Sequence, residues 1–329
     1  MVTRADVAKR AGTSTAVVSY VINDGPRPVA AETRQRVLDA IAELGYRPNL
    51  LAQALRGNRS KVLGLVFPDI ANPYYAELAR AIEAEVDSRG YSLILCNSDQ
   101  DAGRELNYVR TLVDRRVDGV VLISGSTSEE LRRLIGELAV PCVLLDRAMN
   151  YSGATTLIKT DNILGGEIAT RHLMSLGHRR IVALAGPASL GNERATGYRR
   201  CMEAAGLTPE LHHSGYDRDS SYSLACRLLS EDRPPAIFAG NDIIAFSVLR
   251  AAADRGLRVP DDLAVVGFDD IREASYSVPR LTTVAHPIAA LGRLAAELLI
   301  EQASGGAAPS VHWLTPSLVI RESCGAGAR

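Results

Sequence analysis

The stretch TRADVAKRAGTSTAVVSYVIN, residues 3–23, predicts two short helices joined by a tight turn. Thr3 and Asp6 have nearly the spacing of a capping box at the start of the first helix. Gly12 can turn the chain at little cost, and Ser14 is a good N-cap for the second helix. Such a helix-turn-helix suits the DNA major groove, where the second helix reads base edges, although any small helical bundle could begin this way.

The stretch ETRQRVLDAIAELGYRPNLLAQALR, residues 32–56, extends this unit with a third helix and a shorter segment. Apolar residues recur at helical spacing through residue 44, and Gly45 stands where a C-cap is wanted. The predicted N-cap is Ala30 or Ala31, neither of which has a capping side chain. Residues 50–56 are too few to form a stable helix alone, so they either order against a partner or form a plain linker turn.

These two stretches resemble the DNA-binding headpiece of the LacI/GalR family of bacterial transcription regulators over residues 2–60. The resemblance implies an all-α head at 1–46, a hinge helix within 47–60, and a homodimer that binds a near-palindromic operator in double-stranded DNA. In the family, paired hinge helices push a leucine into the minor groove, and the matching residue is Leu55.

The resemblance also assigns DNA contacts in the head. The family positions that meet base edges correspond to Thr15, Ala16 and Tyr20. The third position is commonly arginine, and tyrosine cannot form its bidentate fork with guanine, so we expect an unusual operator. Contacts to the DNA backbone are predicted for Thr3, Ser14, Ser19, Asn23, Arg34 and Asn49. Ser14 could instead serve only as a cap.

Charge and composition support this division. Residues 1–60 hold nine Lys or Arg and five Asp or Glu, a net charge of +4, whereas the remainder holds 28 and 33, a net −5. A basic head on a mildly acidic body fits phosphate contacts confined to the head. We find no membrane-length apolar run and no signal-peptide pattern, and the five cysteines lie far apart, so we predict a cytoplasmic protein that binds no metal.

From Lys61 onward, apolar β-rich runs alternate with helical patterns. This alternation predicts an α/β body, at 61–329, of two doubly wound parallel-sheet lobes that bind effector and form the dimer. We place lobe one at about 61–157 plus 287–313, and lobe two at about 158–286 plus 314–329. The body resembles the periplasmic sugar-binding-protein fold, in which ligand binds in the cleft at the carboxyl ends of the strands.

Polar and aromatic side chains concentrate where these predicted strands end. The predicted effector-binding residues are Asn72, Tyr74, Tyr75, Asp146, Arg147, Arg194, Tyr216, Asn241, Asp269 and His286. Carboxylates can accept from paired hydroxyls, guanidinium groups can donate forks, and aromatic rings can stack on a sugar. The set is similar to that of ribose-type binding proteins, but Tyr replaces Phe and His286 replaces Gln, which speaks against ribose itself.

Several alternatives remain open from the sequence. Asp69, Asp146 and Asp242 could be helix caps only, and Asn72-Pro73 could be only a turn. The body could also belong to a transport-type sugar-binding protein or to an enzyme on an α/β scaffold. The sequence has no nucleophile, phosphate-loop or zinc-protease motif, and Gly165-Gly166 does not continue into a dinucleotide fingerprint. We therefore predict an effector-controlled transcription repressor with no catalytic residues and no cofactor.

Overall fold

The structure is a computed structural model. It describes residues 2–22, 25, 27–46, 59–124, 128–145, 155–187, 192–306 and 308–326. The chain forms two compact units, Met1–Ser60 and Lys61–Arg329, here named the head and the body. Among the described residues, no helix has both the length and the apolar composition that a bilayer crossing requires.

The head consists of α1 (Arg4–Ala11), α2 (Thr15–Ile22) and α3 (Ala31–Leu44). The predicted capping box is confirmed at α1, where the Thr3 backbone N–H donates to the Asp6 carboxylate at 2.8 Å and the Asp6 N–H donates to the Thr3 hydroxyl at 3.4 Å. The start of α3 lacks a side-chain cap, as the sequence predicts.

Burial of small apolar side chains holds the three head helices together. Val7, Val18 and Val37, one from each helix, have no exposed surface. The turn between α1 and α2 is fixed by Gly12, which adopts φ 65°. A left-handed φ of this kind costs glycine little, whereas it strains other residues. The packing with α1 and α3 therefore holds α2 in a fixed position within the head.

The body alternates strands and helices along the chain. Its first part contains β1 (Val62–Phe67), α4 (Pro73–Ser88), β2 (Ser92–Asn97), α5 (Ala102–Asp114), β3 (Gly119–Leu122), α6 (Glu129–Gly136), β4 (Cys142–Leu145) and β5 (Thr156–Thr160). Its second part contains α7 (Asn162–Ser175), β6 (Val182–Ala185), α8 (Glu193–Ala204), β7 (Glu210–His213), α9 (Arg218–Glu231), β8 (Ala236–Ala239), α10 (Asp242–Ala253), β9 (Ala264–Asp269) and β10 (Thr282–Ala285). The chain then forms α11 (Ile288–Ala303), β11 (Val311–Leu314) and β12 (Ser317–Val319).

These strands form two six-stranded sheets of related topology. The first has the order β2-β1-β3-β4-β5-β11 and the second β7-β6-β8-β9-β10-β12. All neighbouring strands pair in parallel except β12, which is antiparallel to β10. Helices cover both faces of the first sheet: Leu63 and Leu65 of β1 pack with α4 and α11, and Val66 packs with α5. Because both of its faces are buried, β1 is apolar along its whole length. The two predicted parallel-sheet lobes are confirmed.

The chain passes between the two sheets at residues 160–162, 285–288 and 314–317. The first passage comes later than the boundary predicted at 157, because β5 continues in the first sheet through Thr160. The first and third passages lie side by side, since the Asp161 N–H donates to the Leu314 carbonyl at 3.0 Å. The carboxyl ends of β5 and β10 also meet there, since the Thr160 hydroxyl lies 3.0 Å from His286 Nδ1.

Candidate nucleic-acid interface and effector cleft

The start of α2 forms the candidate base-reading surface of the head. Thr15 and Ala16 are exposed in its first turn, while Val18 is fully buried. The Ser14 hydroxyl accepts a hydrogen bond from the Val17 N–H at 3.3 Å, so the predicted cap is confirmed. The head therefore places two small side chains on its surface at a helix N-terminus.

Tyr20, one turn further along α2, is half-buried and its position depends on a glycine. The Gly25 N–H donates to the Tyr20 carbonyl at 3.0 Å. A Cβ atom at Gly25 would lie 2.5 Å from a Tyr20 ring carbon, so a larger residue there would displace the ring. Gly25 thus contacts Tyr20, the third predicted base-reading residue, through both its backbone and its ring.

The predicted DNA-backbone contacts have mixed surroundings. Thr3, Ser14 and Arg34 are exposed, and Ser19 is half-buried. Thr3 and Ser14 also cap helices, so any phosphate contact would be an additional role for their side chains. Three of the predicted DNA-binding residues lie outside the described residues: Asn23, Asn49 and Leu55.

In the body, two glycines bring α8 close to α7. A Cβ atom at Gly166 would lie 2.0 Å from the Arg194 carbonyl oxygen, and one at Gly197 would lie 2.0 Å from the Ile163 carbonyl oxygen. Real Cβ atoms do not approach backbone atoms so closely, so each position requires glycine. The close contact sets the first turn of α8, and with it Arg194, beside the carboxyl ends of the second sheet.

The Arg194 guanidinium is held from several sides. Its Nε donates to Asn162 Oδ1 at 2.9 Å, and Nη1 donates to the Gly240 carbonyl at 2.6 Å. Nη1 also lies 3.0 Å from Asp269 Oδ1, in an ion pair whose side chains are 16% and 6% exposed. The guanidinium carbon lies 3.8 Å from the centre of the Phe268 ring. Hydrogen bonds to charged groups and stacking on a ring fix this fork in one orientation.

Asp269 and its neighbour have unusual backbone geometry. Asp269 ends β9 with φ 112°, and Asp270 follows with φ 56°. Positive φ at non-glycine residues stores strain, and such strain clusters at functional sites. The Arg321 guanidinium pairs with Asp270 at 2.7 Å, and the Asp269 carbonyl accepts from the His286 N–H at 3.1 Å. These contacts keep the strained turn in place.

Beneath this turn lies a buried carboxyl group, that of Asp242. It accepts from the Thr283 hydroxyl at 2.6 Å and from the Ile271 N–H at 2.9 Å. Burial, and then the nearby charge of Asp269, raise the pKa of Asp242 well above its ordinary value. A sequence-based alternative made this residue a helix cap, but Asn241 occupies that position and Asp242 is the first residue of α10.

Aromatic rings join the two lobes across the cleft. The rings of Tyr74 and His286 meet edge to face at 5.1 Å between centres, and those of Phe268 and His286 at 5.8 Å. The Tyr75 ring lies 5.2 Å from Tyr74. His286 Nδ1 lies 3.0 Å from the Thr160 hydroxyl, which links the end of β10 to the end of β5. His286 is 5% exposed, so it supports the cleft at the lobe crossover.

Of the remaining predicted residues that the structure describes, two cap helices and one is a tyrosine that packs over the end of a strand. Asn72 Oδ1 accepts from the Tyr74 N–H at 3.1 Å, and Asn241 Oδ1 accepts from the Ile244 N–H at 2.8 Å, so both are helix caps. Tyr216 lies over the end of β6, where a Cβ atom at Gly186 would be 2.1 Å from its ring. Asp146 and Arg147 lie outside the described residues.

The structure thus brings together Tyr74, Tyr75, Arg194, Asp269 and His286 in one network of contacts. The sequence prediction missed Thr160 and Asn162, which hold His286 and Arg194. Both are polar residues at the carboxyl end of β5, which is the signal that also marks the other candidates. The pair Gly165-Gly166 is a second signal, because small residues in a helix indicate close helix packing.

Comparisons with known proteins match both units. Residues 3–49 match the sequence profile described as bacterial regulatory proteins, lacI family, and residues 170–324 match a periplasmic binding protein-like domain. The ribose operon repressor of Escherichia coli (strain K12) is 38% identical over 309 residues, covering 92% of this chain and 93% of the repressor. The HTH-type transcriptional regulator DegA of Bacillus subtilis (strain 168) is 37% identical over 295 residues, covering 87% of each chain.

Solved structures show the same likeness over the whole chain. A lac repressor dimer bound to operator and the anti-inducer ONPF has a TM-score of 0.88 and 29% identity, covering 98% of each chain. A complex of the transcriptional regulator CelR with cellobiose has a TM-score of 0.74 and 32% identity, covering 98% of this chain and 100% of that one.

Proposed function

The chain belongs to the lacI family of bacterial regulatory proteins, and we propose that it works as a homodimeric repressor whose operator affinity is set by a monosaccharide-like effector. It is a DNA-binding transcription regulator and belongs to a family of regulators rather than enzymes. Such a regulator would act in the cytoplasm, where the chromosome is. The residues that read DNA and effector, and the way the two are coupled, form the rest of the proposal.

In the head, α2 enters the major groove with Thr15 and Ala16 toward the base edges. Both side chains are small and exposed at a helix N-terminus, which lets the backbone approach the groove closely. Tyr20, held against Gly25, offers a ring or one hydroxyl where a family member with arginine would grip guanine. We therefore expect the half-site to differ from a guanine-anchored one at that base pair.

In the body, the cleft at the carboxyl ends of the two sheets binds the effector. The observation that carries this proposal is the buried Arg194–Asp269 pair. It places the N–H donors of a guanidinium beside a carboxylate on a strained backbone, close to the aromatic rings of the cleft. Donors, acceptors and ring faces in one cleft suit vicinal hydroxyls and the apolar face of a sugar ring. Tyr74, Tyr75 and Tyr216 would supply the ring faces.

Effector binding would control DNA affinity by shifting a conformational equilibrium. The cleft is built from both lobes, since Tyr74 comes from the first and His286 from the second. A ligand that contacts both lobes favours the closed arrangement by its differential affinity for the two states. The dimer would transmit that change to the hinge residues 47–58, which contain Leu55 and lie outside the described residues.

Exposed apolar side chains on both lobes support the homodimer. Ile70 and Leu95 on the first lobe are 57% and 49% exposed, and Tyr276 and Val278 on the second are 72% and 95% exposed. Exposed apolar side chains mark an interface where they form one contiguous patch, and the proposal is that a second copy covers these residues together. Replacing Leu95 and Val278 together by Asp should shift the protein toward monomers in sedimentation equilibrium, whereas Leu38→Asp, in the head, should leave the association unchanged.

Two measurements on the full chain test the proposal. Binding to the selected genomic operator should weaken steeply with salt, since phosphate contacts release counterions. In a thermal-shift screen of pentoses, hexoses and their phosphates, at least one ligand should raise the melting temperature, and Asp269→Asn should abolish that shift while operator binding without ligand is kept. Failure to select any DNA site from the genome would exclude the regulator, and an unchanged shift in Asp269→Asn would exclude this cleft.

A further inference from the structure

A second cavity of about 380 Å³ lies outside the cleft just described, beside two of the lobe crossovers. It is lined by Asp161, Ile163, Leu164, Glu167, Glu193, Arg200 and Trp313. Trp313 is the only tryptophan of the chain, and 60% of it is exposed, although large aromatic side chains are usually buried. An exposed indole on the wall of a cavity is a surface on which a ligand can stack.

The indole is held in place rather than loose. It belongs to β11, which pairs with β5, and the Lys159 ammonium lies 4.9 Å from its ring centre. Lys159 is itself 7% exposed and pairs with Glu193 at 2.9 Å. Because a nearly buried ammonium fixes both the ring and a lining carboxylate, the cavity has a defined chemical arrangement.

The polar groups of the lining keep unused bonding capacity. Glu193 pairs with Lys159, Glu167 pairs with Arg171, and the Asp161 carboxylate caps α7 through the Leu164 N–H at 2.9 Å. A carboxylate has about four acceptor positions, so each can still accept from a ligand. Arg200 is exposed and, within the described residues, has no ion-pair partner.

We propose that this cavity is a second binding site, distinct from the cleft, for an uncharged polyhydroxylated molecule of monosaccharide or disaccharide size. The apolar face of a sugar ring stacks on Trp313, the carboxylates accept from its hydroxyls, and the Arg200 fork donates to its oxygens. The charges of Asp161, Glu167 and Glu193 are balanced by those of Lys159, Arg171 and Arg200, which favours a neutral ligand over an ion. The volume lies within the usual range of about 300–1,000 Å³ for small-molecule sites.

The site would regulate the cleft, because Asn162 contacts both the cavity residue Glu193 and the cleft residue Arg194. The Glu193 carboxylate lies 3.5 Å from Asn162 Nδ2, and Asn162 Oδ1 accepts from Arg194 Nε at 2.9 Å. A ligand hydroxyl that donates to the Glu193 carboxylate would compete with the Asn162 amide for it, and would therefore change the support that Asn162 gives to Arg194. This regulatory consequence rests on the proposed function of the cleft, whereas binding itself does not.

The lone tryptophan makes the test direct. The full-length protein is titrated with D-glucose, D-galactose, D-ribose, D-xylose and trehalose, and the emission of Trp313 is recorded. The same titrations are made in Asp269→Asn, in which the cleft is disabled. We expect a saturable change of emission with at least one of these sugars in both proteins.

The lining arginine supplies a matched pair of variants. Arg200→Ala should weaken the binding about tenfold, the effect of losing about 1.4 kcal/mol of hydrogen bonding. Arg199→Ala changes the neighbouring arginine of α8, which is exposed and does not line the cavity, and should leave the affinity unchanged. Glu167→Gln gives an independent check if Arg200→Ala fails to fold.

The outcomes separate this proposal from that for the cleft. No saturable change with any of these sugars, or equal affinity in Arg199→Ala, Arg200→Ala and Glu167→Gln, overturns the second site. A change that disappears in Asp269→Asn also overturns it, since the signal then comes from the cleft. An emission change that persists in Asp269→Asn and that Arg200→Ala weakens supports the second site, whether or not the cleft binds. The proposal for the cleft fails separately, if no sugar gives a thermal shift that Asp269→Asn removes.

Discussion

The head and the body prepare their binding surfaces in opposite ways. In the head, Thr15 and Ala16 are exposed, and the buried valines behind them only hold the helix in position. In the body, Arg194 and Asp269 are mostly buried and already bonded to each other and to neighbouring groups. The proposed base-reading residues of the head are exposed, whereas the proposed effector residues of the body belong to a network in which one change affects several partners.

This difference has consequences for mutation. Substitutions on the head surface should change which DNA is bound and leave folding nearly intact, because surface changes away from caps cost little. Substitutions in the cleft should change binding and stability together, because residues in one hydrogen-bond network couple. Substitutions at five positions, from the largest expected effect on stability to the smallest, probe where this contrast holds.

Gly166→Ala should destabilise the body most. Its added Cβ would lie 2.0 Å from the Arg194 carbonyl oxygen, and a backbone atom cannot move aside as a flexible side chain can. We expect a loss of about 3 kcal/mol in the free energy of unfolding, measured by urea denaturation, with loss of effector binding. Gly136→Ala, with open space at the new methyl, should change stability by less than about 1 kcal/mol. Equal effects of the two substitutions would show that the helix contact is not tight.

Asp242→Asn should change how stability depends on pH. Burial raises the pKa of this carboxyl above its unfolded value of about 3.9, so the folded state holds a proton that the unfolded state releases. Stability of the natural protein therefore falls as pH rises through that window, and the variant should gain relative stability between about pH 4 and about pH 7. Thermal unfolding at both pH values measures the gain, and a gain that does not grow with pH would contradict the assignment.

The head contains the opposite case in Asp6. A hydrogen bond from the Thr3 hydroxyl lowers the pKa of this exposed carboxyl, so its contribution to stability is present above the unfolded pKa and is lost as pH falls. Asp6→Asn should thus weaken hydrogen-exchange protection of α1 at neutral pH more than in acid, after correction for intrinsic exchange rates. The same sign of pH dependence in both units would break the contrast between them.

Ser14 allows the cap and the DNA contact to be separated. Ser14→Ala should cost the head about 1 kcal/mol, since the hydroxyl that accepts from the Val17 N–H is lost. Ser14→Asp keeps a good cap but brings a negative charge toward phosphate, so protection of α2 should persist while DNA affinity falls by about tenfold or more. Unchanged DNA affinity in Ser14→Asp would mean that this residue is only a cap.

Tyr20→Arg should have the smallest effect on stability, below about 1 kcal/mol, because only a half-buried ring is replaced. It should instead shift the selected half-site toward guanine at one position, as measured by selection from random duplexes. Tyr20→Phe, which keeps the ring against Gly25 and removes the hydroxyl, tells whether the ring or the hydroxyl reads the base. An identical selected motif for all three proteins would show that Tyr20 does not read bases.

The fold could be predicted where the chain is apolar and continuous. The apolar runs Val62–Phe67, Cys142–Leu145 and Ala236–Ala239 coincide with β1, β4 and β8, because strands buried on both faces are uninterrupted apolar runs. The strands β11 and β12 are harder to predict because they are short, lie at sheet edges and mix exposed with buried residues. Ser323 and Cys324 are fully or nearly buried, although the residues that follow them are mostly small.

The sequence predicts which residues form the candidate site, but it does not predict which of them hydrogen-bond to each other. Arg194, Asp269 and His286 follow strands, and the carboxyl ends of parallel strands share one edge of a sheet. That Asn162 holds Arg194 depends on how closely α7 and α8 pack, which two glycines distant in sequence determine. The individual roles of the predicted DNA and effector residues stay predictions until the experiments above are made.

The three passages of the chain between its sheets bear on how the protein is made. The first sheet begins with β1 but gains its covering helix α11 and its edge strand β11 only when residues 288–314 have been synthesised. The second sheet is complete only when its edge strand β12, Ser317–Val319, has been synthesised. During synthesis, at about 5–20 residues per second, neither lobe can complete its packing until residues 311–319 have been made, whereas the head can fold soon after it emerges. A nascent chain would thus carry a finished DNA-binding unit on a body that cannot yet respond to effector.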